Sequence, residues 1–204
     1  MYNVRVKKEK LKWIIGIDEA GRGALAGPVS VGGVLIPHDF DFSLFSKVKD
    51  SKQLSAKVRE HVFKEVQKAT KEGLLSYHVA LISEKVIDTK GITYAVRKGV
   101  EEILKKLAVS PDQVSILLDG SLYAPKEYLF QKTIIKGDVT EPAISLASIM
   151  AKVTRDKKMI SLQKKYPQYF FEIHKGYGTI MHREAITAHG LSAVHRRSFC
   201  KRWH

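Results

Sequence analysis

Residues Trp13-Ile14-Ile15-Gly16-Ile17 form an apolar, β-branched run that is too short for an ordinary helix. The run stops on two adjacent acids, Asp18 and Glu19, followed by Ala20-Gly21-Arg22-Gly23. Such a run reads as a buried strand, so the fold must carry a carboxylate pair where a core strand leaves its sheet. Successive strand side chains point to opposite faces, and the two acids converge only if the backbone turns at once, which Gly21 and Gly23 permit. Convergent carboxylates suit a hard divalent cation such as Mg²⁺, which takes oxygen ligands, keeps several waters and shares substrate phosphate. Arg22, held near the backbone by its flanking glycines, can face that phosphate. A solvated polar turn is the competing reading, and this stretch alone does not separate the two.

The remaining elements follow from periodicity and punctuation. Val29–Ile36 is a second β-branched run, closed by Pro37, expected to lie antiparallel to the first. Residues 38–49 read as a loop. Ser55 is placed to cap a helix with an apolar face of Val58, Val62, Val66 and Ala69 that ends at Gly73. Leu74–Ile82 is a third strand. Ile92, Val96, Val100, Ile103 and Leu107 recur at helical spacing before Pro111, and Val114–Leu118 is a short buried strand ending at Asp119. Thr133–Ile135 is a fifth strand, and Ala143–Tyr166 is a long helix whose small face of Ala143, Ala147 and Ala151 lets it lie close to a sheet. Thr179 caps one more helix, closing at Gly190, and the tail from His195 is basic and aromatic. The elements describe an α/β fold, a mixed five-stranded sheet with helices packed against it.

The 204 residues suit one domain over 1–204, and the 44% hydrophobic content fills one core. The apolar runs are all broken well before the length a membrane span needs, and the basic N-terminus has no apolar segment behind it. A cytoplasmic, monomeric protein without a membrane partner is expected. A single cysteine, Cys200, excludes an internal disulfide and a cysteine-rich zinc site. Thirty-five Lys and Arg against 21 Asp and Glu give a formal charge of +14, an excess that favours a polyanionic partner.

Asp119 repeats the arrangement at Asp18: an acid ending a buried strand beside a glycine, here Gly120. If the two strands are neighbours, their carboxylates lie close and need a cation or a proton. Asp138, in Lys136-Gly137-Asp138, can add a fourth acid to Asp18, Glu19 and Asp119, although a turn or capping role explains Asp138 taken alone. His174, His182, His189 and His195 gather late in the chain but lack the His-Glu-x-x-His spacing of a zinc site. Asp156 is expected to pair with a nearby base on its helix. Asp50 is ambiguous in the same way.

Several separated blocks give the chain a family resemblance. Gly16-Ile17-Asp18-Glu19-Ala20-Gly21-Arg22-Gly23 with Leu25-Ala26-Gly27-Pro28, then Lys49-Asp50-Ser51-Lys52-Gln53-Leu54-Ser55, resemble signatures of ribonuclease HII, the type 2 ribonuclease H family. So do Lys136-Gly137-Asp138, Ala147-Ser148-Ile149-Met150-Ala151-Lys152-Val153-Thr154-Arg155-Asp156 and His174-Lys175-Gly176-Tyr177-Gly178-Thr179. Ala24 stands where the family usually has proline. The resemblance implies a ribonuclease H-like sheet with a C-terminal helical, substrate-binding part at about residues 170–204. It places the family's four acidic metal-site residues on Asp18, Glu19, Asp119 and Asp138. It also implies cleavage of RNA in RNA–DNA hybrids and incision at single ribonucleotides in duplex DNA, leaving 3′-hydroxyl and 5′-phosphate ends. Two ions, Mn²⁺ or Mg²⁺, roughly 3.5 to 4 Å apart would serve that displacement.

Telling RNA from DNA requires contact with the 2′-hydroxyl. The resemblance gives this task to Gly21-Arg22-Gly23 and to Tyr177, whose ring would pack on the sugar or base after the ribonucleotide; a core tyrosine is the alternative. Lys52, Lys152, Arg155, Lys175 and Arg196 are candidate phosphate contacts. A sliding-clamp-type partner stays open. Two rival functions remain: another nuclease on the same fold, and a non-catalytic RNA-binding module.

Overall fold

The computed structural model describes residues 11–45 and 54–203. A five-stranded sheet runs in the order β3-β2-β1-β4-β5. Its strands are β1 (Trp13–Ala20), β2 (Val29–Pro37), β3 (Ser76–Ile82), β4 (Val114–Asp119) and β5 (Gln131–Ile134). β1 pairs antiparallel with β2, and β2 with β3, while β4 lies parallel to both β1 and β5. The mixed five-stranded sheet expected from the sequence is therefore present.

Helices α1 (Ala56–Lys71), α2 (Glu84–Lys90), α3 (Ile92–Leu107), α4 (Gly137–Thr140), α5 (Pro142–Gln163), α6 (Phe171–His174) and α7 (Ile180–His189) complete the elements that matter here. The Ser55 hydroxyl accepts the Val58 N–H at 3.3 Å, and Thr179 does the same for His182 at 3.3 Å, so both expected caps form. Three short helices, α2, α4 and α6, were not anticipated. α2 spans only seven residues and buries Ile87 alone, and α4 has four, too few for periodicity to register. α5 starts at Pro142 and stops at Gln163, one residue earlier and three earlier than expected, because proline suits the first helical turn.

Strand parity divides the core into two layers. Odd positions of β1 and β2, with Val114, Ile116 and Leu118 of β4, pack against α2 and α3. The opposite face, including Val34 and Ile36, packs against α1 and α5. A Cβ on Gly16 would overlap the Ala143 backbone, and one on Gly32 would overlap the Ala147 carbonyl. Those two glycines and the small face of α5 thus bring this helix against the centre of the sheet. A third apolar cluster joins Ala26 and Met159 to Tyr169, Phe171, Ala185 and Ile186 near the C-terminus.

Candidate active site

β1 runs on through both acids to Ala20, three residues past the apolar run, and the backbone turns only at Gly21, where φ is +84°. The strand does not leave the sheet at Asp18 as expected, because β1 keeps pairing with β2 as far as Ala20, and the turn falls at the first of the two glycines expected to permit it. Parity instead brings the acids of two strands together. Asp18 shares the α5 face with Gly16, and Asp119 occupies the same face of β4. Ile17 pairs with Leu118 across the parallel ladder, so Asp18 and Asp119 follow on adjacent strands.

Asp18 is 5% exposed. Its carboxylate accepts the Glu19 N–H at 2.7 Å and a hydrogen bond from the Ser148 hydroxyl. Burial pushes its pKa up to about 8, the neighbouring Glu19 and Asp119 add to the rise, and the Ser148 bond opposes it. Glu19 is also raised, first by burial, against an ion pair with Arg22 at 3.3 Å. Asp138 sits in α4, fully buried, and its backbone N–H donates to Asp119 Oδ1 at 3.3 Å.

A cleft of about 410 Å³ joins Asp18, Glu19 and Asp119 to Gly21, Arg22 and Gly23, with Lys152 and Tyr177 on its wall. The structure thus gathers most of the residues singled out from the sequence, while Asp138 is not among those lining the cleft. Arg59 and Ser148 also line it and were not singled out. Ser148 stood inside a quoted block, and its four-residue spacing from Lys152 was the available signal. Arg59 sits on α1 with no local pattern to mark it. Lys52 and Asp50 lie outside the described residues.

Three of the expected phosphate contacts turn their donors to backbone carbonyls. Arg196 is fully buried and donates to the carbonyls of Gly21 at 2.8 Å, Arg22 at 2.8 Å and Gly27 at 2.9 Å. Arg155 is equally buried, donating to Pro28 at 2.9 Å, Lys175 at 2.9 Å and Ala26 at 3.2 Å. Their donors face backbone because the glycine-rich loop, curled against the C-terminal segment, has inward carbonyls that need partners. Lys175 turns its ammonium onto the Glu172 and Ile173 carbonyls instead of the cleft. Lys152 does face the cleft, steadied by Asp156 at 2.8 Å, the pairing expected for that acid.

Tyr177 is packed, not loose between its glycines: the Arg155 guanidinium lies 5.2 Å and the Lys152 ammonium 5.7 Å from its ring centroid. Its carbonyl accepts from His182 Nδ1 at 2.9 Å. His182 Nε2 meets His195 Nε2 at 3.0 Å, and His195 Nδ1 accepts the Ser192 N–H at 3.0 Å. His174 uses both nitrogens, on the Tyr169 carbonyl at 2.7 Å and the Gly176 N–H at 3.1 Å. Every ring nitrogen of this buried trio is engaged by protein.

Among the described residues, no three acid, histidine or cysteine side chains are arranged to hold a metal ion between them. The donors at the cleft still fit a hard divalent cation, which needs only one or two carboxylates beside water and phosphate. Among the described residues, buried Asp18, flanked by like charges, has Ser148 and a backbone N–H as its donors and no cationic partner.

Comparison with known proteins agrees with this geometry. Residues 15–202 match the family model described as ribonuclease HII. A ribonuclease HII from Endomicrobium trichonymphae is 43% identical over 186 residues, 91% of this chain and 84% of that protein. One from Bacillus anthracis is 42% identical over 199 residues, 97% of this chain and 73% of that protein. The fold superposes on ribonuclease HII in the PCNA:RNase HII complex from Archaeoglobus fulgidus with a TM-score of 0.73 and 26% identity, covering 90% of this chain and 93% of that one. With the family model spanning nearly the whole sequence and the glycine-rich acid cleft in place, the chain belongs to the ribonuclease HII family of ribonuclease H enzymes.

Proposed function

We propose that this protein hydrolyses the RNA strand of RNA–DNA hybrids and incises duplex DNA at single embedded ribonucleotides. The reaction leaves 3′-hydroxyl and 5′-phosphate ends and uses two divalent ions, Mg²⁺ or Mn²⁺. The observation that carries this reading is Asp18, buried beside Asp119 on the adjacent strand, in the same cleft as Gly21-Arg22-Gly23 and Tyr177. Bound at Asp18, Glu19 and Asp119, with Asp138 behind them, such ions would activate water and stabilise the leaving 3′-oxygen.

The chain's own residues do the rest. The Ser148 hydroxyl and the Glu19 N–H hold the Asp18 carboxylate in one orientation. Arg196 fixes the Gly21 and Arg22 carbonyls, so the loop that meets the ribose keeps its shape when substrate arrives. Arg155 and His182 fix the ring and carbonyl of Tyr177, which packs on the nucleotide after the ribose. Lys152 and Arg22 supply positive charge for the phosphates on either side. The A. fulgidus relative was solved with PCNA, which supports a sliding-clamp partner for this chain too.

The test is incubation with duplex DNA carrying one ribonucleotide, beside a hybrid and an all-DNA duplex, with and without Mg²⁺ or Mn²⁺. Metal-dependent cutting of the first two alone is expected. Cutting of all three would assign a general nuclease, and binding without cutting would assign an RNA-binding module.

A further inference from the structure

The segment joining β4 to β5 is held more firmly than an irregular connection needs to be. Residues 120–130 begin directly after Asp119, and the Gln131 side chain fastens them. Its Oε1 accepts the Ala124 N–H at 2.9 Å, and its Nε2 donates to the carbonyls of Tyr128 at 2.9 Å and of Ala124 and Pro125 at 3.3 Å each. The Thr133 hydroxyl donates to the Leu122 carbonyl at 2.9 Å. Leu122 and Ala124 bury their side chains in the core, and between them Tyr123 stands 70% exposed. Burial and hydrogen bonding therefore hold the backbone on both sides of an aromatic ring that faces water.

A furrow links this ring to the acids. Arg22, on the wall of the acid cleft, also lines a small hollow of about 90 Å³ with Arg97 of α3 and Tyr123. Arg97 and Tyr123 in turn line a hollow of about 530 Å³ with Lys126. The three hollows lie in series, the first two sharing Arg22 and the last two sharing Arg97 and Tyr123, from the acid cleft out to Lys126. Among the described residues, Arg22, Arg97 and Lys126 border the two outer hollows against one acid, Glu101, at the far end. Tyr177 lines neither outer hollow, so the path leaves the cleft on the Arg22 side.

We propose that this furrow is a second nucleic-acid subsite, seating the strand that continues from the scissile phosphate. Phosphodiesters lie on Arg97 and Lys126, and a base or sugar face lies on Tyr123. The proposal rests on the reading of the acid cleft as a nuclease site. Aromatic stacking tolerates any base, and a ring on a fixed backbone loses little freedom on binding, so Tyr123 contributes affinity without sequence preference.

The experiment measures fluorescence-anisotropy binding in an Asp18→Asn background, on one-ribonucleotide duplexes shortened stepwise from either end. Tyr123→Ala and Arg97→Ala are each expected to weaken binding of the longest duplex about tenfold. Tyr123→Phe should bind like the parent, and the loss should vanish once one particular end is trimmed short of the furrow. Equal affinity for Tyr123→Ala and parent on the longest duplex, or a loss independent of duplex length, overturns the subsite. Thermal melts confirm that each variant folds. Failure of the wild type to cut any ribonucleotide-containing duplex would instead overturn the nuclease reading, so the two failures are distinguishable.

Discussion

At the scale of single residues, Asp18 combines a buried carboxyl with two acidic neighbours, and its environment sets what a substitution does. Asp18→Asn mimics the protonated acid, so the metal-free melting temperature is expected to equal or exceed that of the wild type. Stabilisation by added Mg²⁺ should disappear. Cleavage should fall by more than about a hundredfold, since even partners of metal ligands cost about 10- to 100-fold when removed. Calorimetric melts beside single-turnover cleavage check both halves; retained turnover would remove Asp18 from the proposed ligand set. Tyr177 tests discrimination. Tyr177→Ala should slow incision at single ribonucleotides about tenfold to a hundredfold, the rate equivalent of a lost stacking contact, while Tyr177→Phe keeps most activity. Equal losses in both variants would assign the effect to the hydroxyl.

At the scale of elements, the α5–sheet contact positions Ser148 over Asp18, and two glycines allow it. Gly16→Ala places a methyl group into the Ala143 backbone, and backbone cannot swing aside as a flexible side chain can. A loss of roughly 1–3 kcal/mol is expected from such overpacking, with Gly32→Ala similar. Gly23→Ala, whose added methyl meets open space, should stay within about 0.5 kcal/mol. Urea midpoints measure all three, and a Gly16→Ala protein as stable as Gly23→Ala would refute the close approach.

At the scale of the molecule, buried titratable groups pull stability in opposite directions with pH. His182 and His195 are lowered to about 4, mainly by burial and also by the neighbouring histidines, against backbone hydrogen bonds that oppose the shift, while unfolded histidine titrates near 6.5. The unfolded chain then binds more protons between those values, so their contribution is complete above about 6.5 and is lost as pH falls towards 4. Asp18 has the opposite sign: raised to about 8, it makes the metal-free fold more stable as pH falls from 8 towards 4. Metal-free Asp18→Asn is therefore expected to melt lower at pH 5 than at pH 7 by roughly 4–8 °C, the equivalent of about 2 kcal/mol. The wild type should fall by less. A flat profile in the variant would mean that the imidazoles are not held neutral.

Much of this was determined by local sequence. Periodicity and caps set β1, β2, α1, α3 and α7, because each carries enough residues, or a Ser or Thr followed by a helical face, to declare its own geometry. The acids at strand ends were equally legible, since a carboxylate ending an apolar run is a local anomaly. Other features were decided only when the chain folded. Whether Asp18 and Asp119 met depended on strand order, which places β1 beside β4 across about a hundred intervening residues. Arg155 and Arg196 look in sequence like any phosphate-binding arginine. What their guanidinium groups face is set by carbonyls that, apart from that of Lys175, are more than a hundred residues away, a partner choice that no local pattern encodes.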